Sequence, residues 1–279
     1  MSELLTLSGR LGSMTNLVHG FIYFAPEASE EFDALGLPAD HHYFASRGAA
    51  LGPVSAEVVA ATFYNFNPAL VAAVIPAAWS FADPTKIQQA RIRAAGRALR
   101  RVEPDLDAEL LTEATDIAGQ MIAGVGDAGR PLATGNRATP EPDEPWERLW
   151  QRITILREWR GDAHVAALIA APADPIEALI LHAATGIVPK VALTATRQWP
   201  DEQWDAGVAR LVARGLVQED ESFTKMGEAF RADIERRTNQ AALPLVEAVG
   251  PDRTARLIDL LKRVRRALLD GGAFAAFGR

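Results

Sequence analysis

Two arginines and a histidine stand where a helix would be expected to carry apolar side chains. In LREWRGDAHVAALI, residues 156–169, the line Trp146, Leu149, Trp150, Ile153 continues through Arg157, Arg160, His164 and Leu168. At ~3.6 residues per turn these positions form one inward stripe. A guanidinium turned inward needs a partner, because an unpaired buried charge costs several kcal/mol even after relaxation. Three arrangements satisfy the pair: acidic side chains from other helices such as Glu27 or Glu57, the carbonyl ends of neighbouring helices, or a cavity holding an anionic or carbonyl-bearing ligand. In the third case His164 is a proton donor or acceptor. Asp162 falls on the opposite side of the wheel, where solvation or a surface ion pair is its default, and Gly161 near the stripe permits close approach of another element.

Other polar residues fit the same theme. His19 and Tyr23 are one helical turn apart in LVHGFIYF and share a face, as acid and base partners or as a hydrogen-bonded interior pair. Arg47 in HHYFASR joins the arginine group if its helix packs nearby. His41 and His42 in that segment point ~100° apart on a helix, which argues against a shared metal, and no metal site is assigned. Tyr64, Asn65 and Asn67 lie at a helix junction, with Asn67 as N-cap of a helix opening at Pro68. His182 sits near the C-terminus of an apolar helix, where the dipole favours it.

The elements that must position these groups are helices. Apolar spacing of three and four dominates, alternating strand patterns are scarce, and alanine is abundant. Helices are predicted over about 3–24, 84–102, 105–123, 145–171, 175–185, 189–196, 200–214 and 252–269, with a Pro-rich linker at 139–145. After the helix at 200–214 the run ARGLVQEDESFTKMGEAF suggests an apolar piece, an acidic turn, a return at Phe223–Thr224 and a helix capped by Thr224. That order is the pattern of a winged helix. The expected fold is all-α with a small β-hairpin wing: a helical domain over 1–138, then a long helix, a winged-helix-like unit and C-terminal helices over 139–279.

Composition removes several classes. The 279 residues include no cysteine, which excludes disulfides, thiolate metal sites and cysteine nucleophiles. The net charge of −7 favours neither nucleic acid nor an anionic membrane as partner. A cytoplasmic location is expected, since neither a leader pattern nor an uninterrupted apolar span is visible. HExxH, GxSxG, GxxxxGK[ST] and a strand-borne GxGxxG are all missing, which disfavours zincin, α/β-hydrolase, P-loop and Rossmann chemistry. The helix in the recognition position opens with Asp201, Glu202 and Asp205, an acidic surface for DNA phosphates to meet.

The segments HGFIYFAPEA, YFASRGAALGPVSAEVVAATFYNFNPALV, LREWRGDAHVAAL, LILHAATG and LVARGLV…FTKMGEAFRADIERRT together resemble a family of actinobacterial helix-turn-helix proteins of unassigned function. The resemblance spans nearly the whole chain and implies a helical fold ending in a winged-helix-like unit. It brings no reaction and no cofactor, so the cofactor stays unassigned. On this resemblance the family's polar positions are His19, Arg47, Asn65, Arg157, Arg160, Asp162, His164 and His182. The expected function is binding of a small anionic or carbonyl-bearing ligand between two helical halves, with catalysis left open. In that reading His164, His19 and Tyr23 are the proton-handling residues, and Arg157, Arg160, Arg47, Asn65, Tyr64, Asp162 and His182 hold the ligand. The alternatives are a DNA-binding regulator using the winged helix and an interaction protein dimerising through its C-terminal helices.

Overall fold

The computed structural model describes residues 3–273; residues 1–2 and 274–279, the outer ends of the two expected domains, lie outside the described residues. In chain order the helices are α1 (Glu3–Gly20), α2 (Pro26–Asp33), α3 (His42–Gly48), α4 (Ala56–Phe63), α5 (Pro68–Ala72), α6 (Ala78–Phe81), α7 (Pro84–Val102) and α8 (Ala108–Ala123). They continue with α9 (Pro131–Ala138), α10 (Pro145–Ala170), α11 (Pro175–Ala183), α12 (Lys190–Arg197), α13 (Asp201–Ala213), α14 (Lys225–Ala241), α15 (Leu243–Glu247) and α16 (Gly250–Asp270). Their starts follow local chemistry. Asp83, Asp107 and Asp174 accept bonds from the first backbone N–H groups of α7, α8 and α11, and proline at the first helical position opens α7, α10 and α11.

Buried apolar side chains form two clusters. The larger joins α1–α9, the first half of α10, and α15 and α16; Trp146, Trp150 and Trp159 all lie in it. Helix α16 returns to pack on α1 and α8, burying Leu257, Ile258, Leu261 and Val264 within the chain. The smaller cluster joins the end of α10 to α11, α12, α13 and α14 through Leu168, Leu179, Ile180, Leu193, Trp204, Leu211 and Ile234. These helices form a smaller module beside the bundle. Helix α10 runs through both clusters and α14 packs on it and on α1, so the space between the two cores lies along the facing sides of α10 and α14. No single helix among the described residues is long and apolar enough to cross a membrane.

The expected hairpin wing is corrected. Among the described residues there is no strand, only one antiparallel bridge between Val217 and Phe223. Three backbone bonds hold the turn, from Thr224 N to Leu216 O (3.2 Å), from Gln218 N to Ser222 O (2.8 Å) and from Glu221 N to Gln218 O (3.0 Å). The apolar arms are too short for more. Glu219, Asp220 and Glu221 occupy the turn, with Glu221 at φ 65°, and Thr224 already caps α14 by accepting from Gly227 N at 3.0 Å. A ladder of that length has no independent stability.

Candidate functional site: a cationic cavity between two cores

A cavity of about 350 Å³ opens between the bundle and the module, bounded by α10, α14, the α4–α5 junction, α11 and α12. Its volume lies at the lower end of the ~300–1,000 Å³ common for small-molecule sites. Arg47, Tyr64, Asn65, Arg157, Arg160, Asp162, His164 and His182 all contribute to its lining. His19 and Tyr23 do not, and they stand in the interior behind one wall.

That wall is organised by Glu158, which is fully buried. Arg47 donates from Nε and Nη2 to its two oxygens at 3.1 Å each, and Arg157 donates from Nη1 at 2.5 Å. A second bond from Arg157 Nε to Asn16 Oδ1 (3.2 Å) fixes the fork. Burial opposes ionisation of Glu158, but Arg157 and Arg47 outweigh it and hold the carboxyl well below the usual carboxylate range. The partners anticipated from sequence are engaged elsewhere: Glu27 takes a bond from Arg101 at 2.5 Å, and Glu57 is exposed and paired with Ser55.

Behind Glu158, His19 Nε2 lies 3.9 Å from its Oε1 and 3.1 Å from the Tyr23 hydroxyl, while Nδ1 is 3.1 Å from Thr154 Oγ1. Arg91 donates to the Tyr23 oxygen at 2.9 Å, so guanidinium, phenol and imidazole form one hydrogen-bonded chain. The imidazole stacks on Trp150 with centroids 5.7 Å apart. Burial and the nearby arginines push its pKa well down, so it is neutral.

Further along α10, Arg160 pairs with Glu235 and donates to Asn239 Oδ1 at 2.9 Å. Arg231 donates to the other Glu235 oxygen at 3.1 Å. His164 Nδ1 is 2.9 Å from Thr238 Oγ1, whose own proton is committed to Ile234 O at 2.8 Å. Nδ1 therefore carries the hydrogen, and Nε2 presents a lone pair. Burial, with Arg231 adding to it, lowers the His164 pKa to about 4, so the ring is an acceptor at neutral pH. His182 on α11 is pushed down by burial and by Arg231 and Arg197.

Asp162 is corrected in place. It is 6% exposed, not solvated. Helix α9 covers the side of α10 that the wheel leaves outward, and Asp162 accepts from Ala133 N at 3.1 Å in the first turn of α9. Burial still raises its pKa to about 6.

The module supplies a cation that sequence reasoning missed. Arg197, at the end of α12, lines the cavity with its Cζ 4.5 Å above the Phe66 ring. Its side chain makes one hydrogen bond, from Nη1 to Thr196 Oγ1 at 2.7 Å, and Nε is buried without a partner. No carboxylate pairs with it among the described residues. Burial lowers its pKa, and Arg47 and Arg157 act in the same sense.

The segment Phe63–Asn67 joins bundle to module. Tyr64 adopts φ 66°, ψ −62°, and Asn65 N bonds Phe63 O at 2.8 Å, a tight three-residue turn that is strained for a side-chain-bearing residue. Tyr64 donates from its hydroxyl to Ala173 O, Asn67 N to Arg197 O at 3.2 Å, Asn67 Nδ2 to Gln198 O at 2.7 Å, and Trp199 Nε1 to Asn65 O at 3.1 Å.

Fold and site together define an all-helical protein in which a smaller helical module closes a polar cavity on a larger bundle. The chain belongs to a helix-turn-helix family, which it matches over residues 8–275. No curated protein and no solved structure gives a significant match.

Proposed function

We propose that the protein binds a small anionic or carbonyl-bearing molecule in the cavity between bundle and module. The observation that carries this reading is a charge imbalance in a confined space. Arg47, Arg157, Arg160, Arg197 and Arg231 line the cavity. Only Asp162 and Glu235 among the lining residues, with Glu158 behind them, oppose these five cations. Arg197 has no acid of its own. An anion supplied from outside satisfies it. Tyr64 and Asn65 at the junction, and His182 and His164 across it, provide neutral polar contacts. His19 and Tyr23 act in this reading by holding Glu158 in place. Thermal-shift screening of the full chain against a broad metabolite set tests the proposal. Hits enriched in acids, and reduced by Arg197→Gln, are the expected result. A set of acids and carbonyl compounds that moves Tm no more than matched amines rejects it.

Family membership and the α11–α12–α13 order favour a second reading, a DNA-binding regulator. Its charge distribution is unfavourable. Asp201, Glu202 and Asp205 are exposed on α13, Arg210 is tied to Asp174 (2.5 Å) and Glu177 (3.2 Å), and Arg214 to Glu177 (2.8 Å). On the basic helix α7, Arg93 and Arg97 pair with Glu31 and Glu30, and Arg101 with Glu27. Fluorescence anisotropy with mixed-sequence duplex DNA at low salt decides it. Binding that weakens steeply with salt and is lost on reversing charge at Arg210 and Arg214 supports regulation through DNA; no binding at low salt rejects it.

A further inference from the structure

We propose that the ligand is a flat, unsaturated carboxylate bearing a hydrogen-bond donor at its far end, in chemical class a hydroxyaryl carboxylate. This rests on the ligand-binding reading above and specifies the molecule. The cavity has two poles. At one, Arg47 and Arg157 share Glu158, and Arg197 faces them from the module, so three guanidiniums stand against one carboxylate. The Nε edge of Arg197 is the part left without an acceptor, since Nη1 is used by Thr196. A planar guanidinium edge matches the two oxygens of a carboxylate.

Beside that pole lies an aromatic shelf. Phe66 lies beneath Arg197 and Phe63 beneath Arg47, whose Cζ is 4.2 Å from the ring centre. Their centroids are 6.1 Å apart, and Tyr43 is 5.3 Å from Phe66. Leu168, Leu181, Leu193 and Ile234 extend the apolar lining. These side chains give a planar, unsaturated body apolar contact beside the cationic pole.

The opposite pole asks for a donor. His164 stands two helical turns beyond Arg157 on α10, about 10 Å along the axis at ~1.5 Å per residue. Its Nε2 lone pair is the ring's unused position. Arg160 and Arg231 there share Glu235, and the Arg160 Nε, though without an acceptor, packs against Gly12 rather than beside His164. A hydroxyl fits the lone pair. A rigid conjugated spacer between acid and hydroxyl spans both poles, which benzoate is too short to do.

Calorimetric titration of the full chain with 4-hydroxycinnamate, cinnamate, 4-hydroxycinnamamide and inorganic phosphate tests the assignment. 4-Hydroxycinnamate is expected to bind most tightly. Loss of the acid in the amide costs about 10–100-fold, the range of a hydrogen bond to a charged group, and loss of the hydroxyl in cinnamate about 5–10-fold. Arg197→Gln removes the preference for acid over amide; Arg197→Lys, which keeps the charge and loses the fork, retains part of it. His164→Gln and His164→Phe both narrow the gap between 4-hydroxycinnamate and cinnamate, and Tm of each variant verifies that it is folded. Equal affinity for acid and amide overturns the carboxylate. Unchanged acid preference in Arg197→Gln overturns its receptor. Competition by inorganic phosphate alone replaces the class with phosphates. If no aryl acid binds while the metabolite screen returns acids of another kind, this assignment falls and the ligand-binding reading stands. If the screen also fails, both fall.

Discussion

The bundle side and the module side of the cavity hold their cations by different means. On the bundle side Arg47 and Arg157 are fixed before any ligand arrives, because Glu158 and Asn16 orient both forks and His19, Tyr23 and Thr154 close the layer behind. On the module side Arg197 rests on Phe66 with its Nε unsatisfied, and the helix that carries it is held to the bundle by a few bonds from Phe63–Asn67. One wall is preorganised and the other is left with an unmet requirement. A ligand gains most where orientation is already established on one side and an unpaired group waits on the other.

The largest effect expected from breaking this comparison is at Glu158. Glu158→Ala leaves Arg47 and Arg157 adjacent with no acid between them, and removing one member of a buried ion pair costs about 3–5 kcal/mol. Urea unfolding of the full chain measures it. A loss under ~1 kcal/mol, the scale of an exposed pair, shows that the bundle wall is not built on this carboxylate. The sign with pH follows from the depressed value in the folded state. The stabilisation is present above the ordinary Glu value of 4.5 and is lost as pH falls toward the folded value.

The module is expected to be separable by a smaller change. A Cβ at Gly227 would overlap the Leu216 carbonyl oxygen. Backbone cannot move aside as a flexible side chain does, so Gly227→Ala costs about 3 kcal/mol, the upper end of overpacking effects. Hydrogen exchange resolved by peptide should show α11–α14 losing protection while α1, α7 and α16 keep theirs. Uniform loss across both cores means that the two clusters unfold as one and that the contrast between walls has no energetic counterpart.

The stripe on α10 makes half of this site legible. Arg157, Arg160 and His164 are visible in the sequence as polar residues at core spacing, and all three face the cavity. A second polar line on the same helix, Gln151, Thr154, Glu158 and Asp162, follows the same i, i+3 and i+4 rule and is buried throughout. Read together, the two lines show that α10 is covered on both sides, and they point to Glu158 as the acid between the arginines. A wheel that assumes one buried face misses this, which is also why Asp162 is expected outward. Arg197, Arg231 and Glu235 carry no such signal. They look like ordinary surface residues of α12 and α14 until packing turns those helices toward α10. The wing fails for a local reason: the pattern for a hairpin is present at Leu216–Thr224, but the arms are too short to become strands.

Acid should weaken both walls through their histidines. His19 and His164 are held neutral in the fold, with values below the ordinary 6.5, so the unfolded chain takes up protons first as pH falls. Stability is unaffected above 6.5 and declines from there toward about 4, the folded value of His164. Urea midpoints between pH 7 and 4.5 should fall, and should fall less in His164→Gln. A flat profile in the native chain, or an undiminished slope in the variant, removes the burial of these rings from the account.

The smallest effect, with the opposite sign, belongs to Asp162, on the side of α10 away from the arginine stripe. Its folded value of about 6 lies above the ordinary 3.8, so the unfolded chain ionises first as pH rises, and the fold bears an increasing penalty between those values. The amide introduced by Asp162→Asn cannot ionise, yet its oxygen can still accept from Ala133 N in the first turn of α9. The N-terminus of α9 favours an anion and offsets part of the penalty. The substitution should therefore stabilise the chain by about 1 kcal/mol at pH 8, on the scale of a single hydrogen bond, and the gain should vanish as pH falls below 3.8. Stability that drops at pH 8 would mean that the charge on Asp162 matters more to α9 than its burial costs.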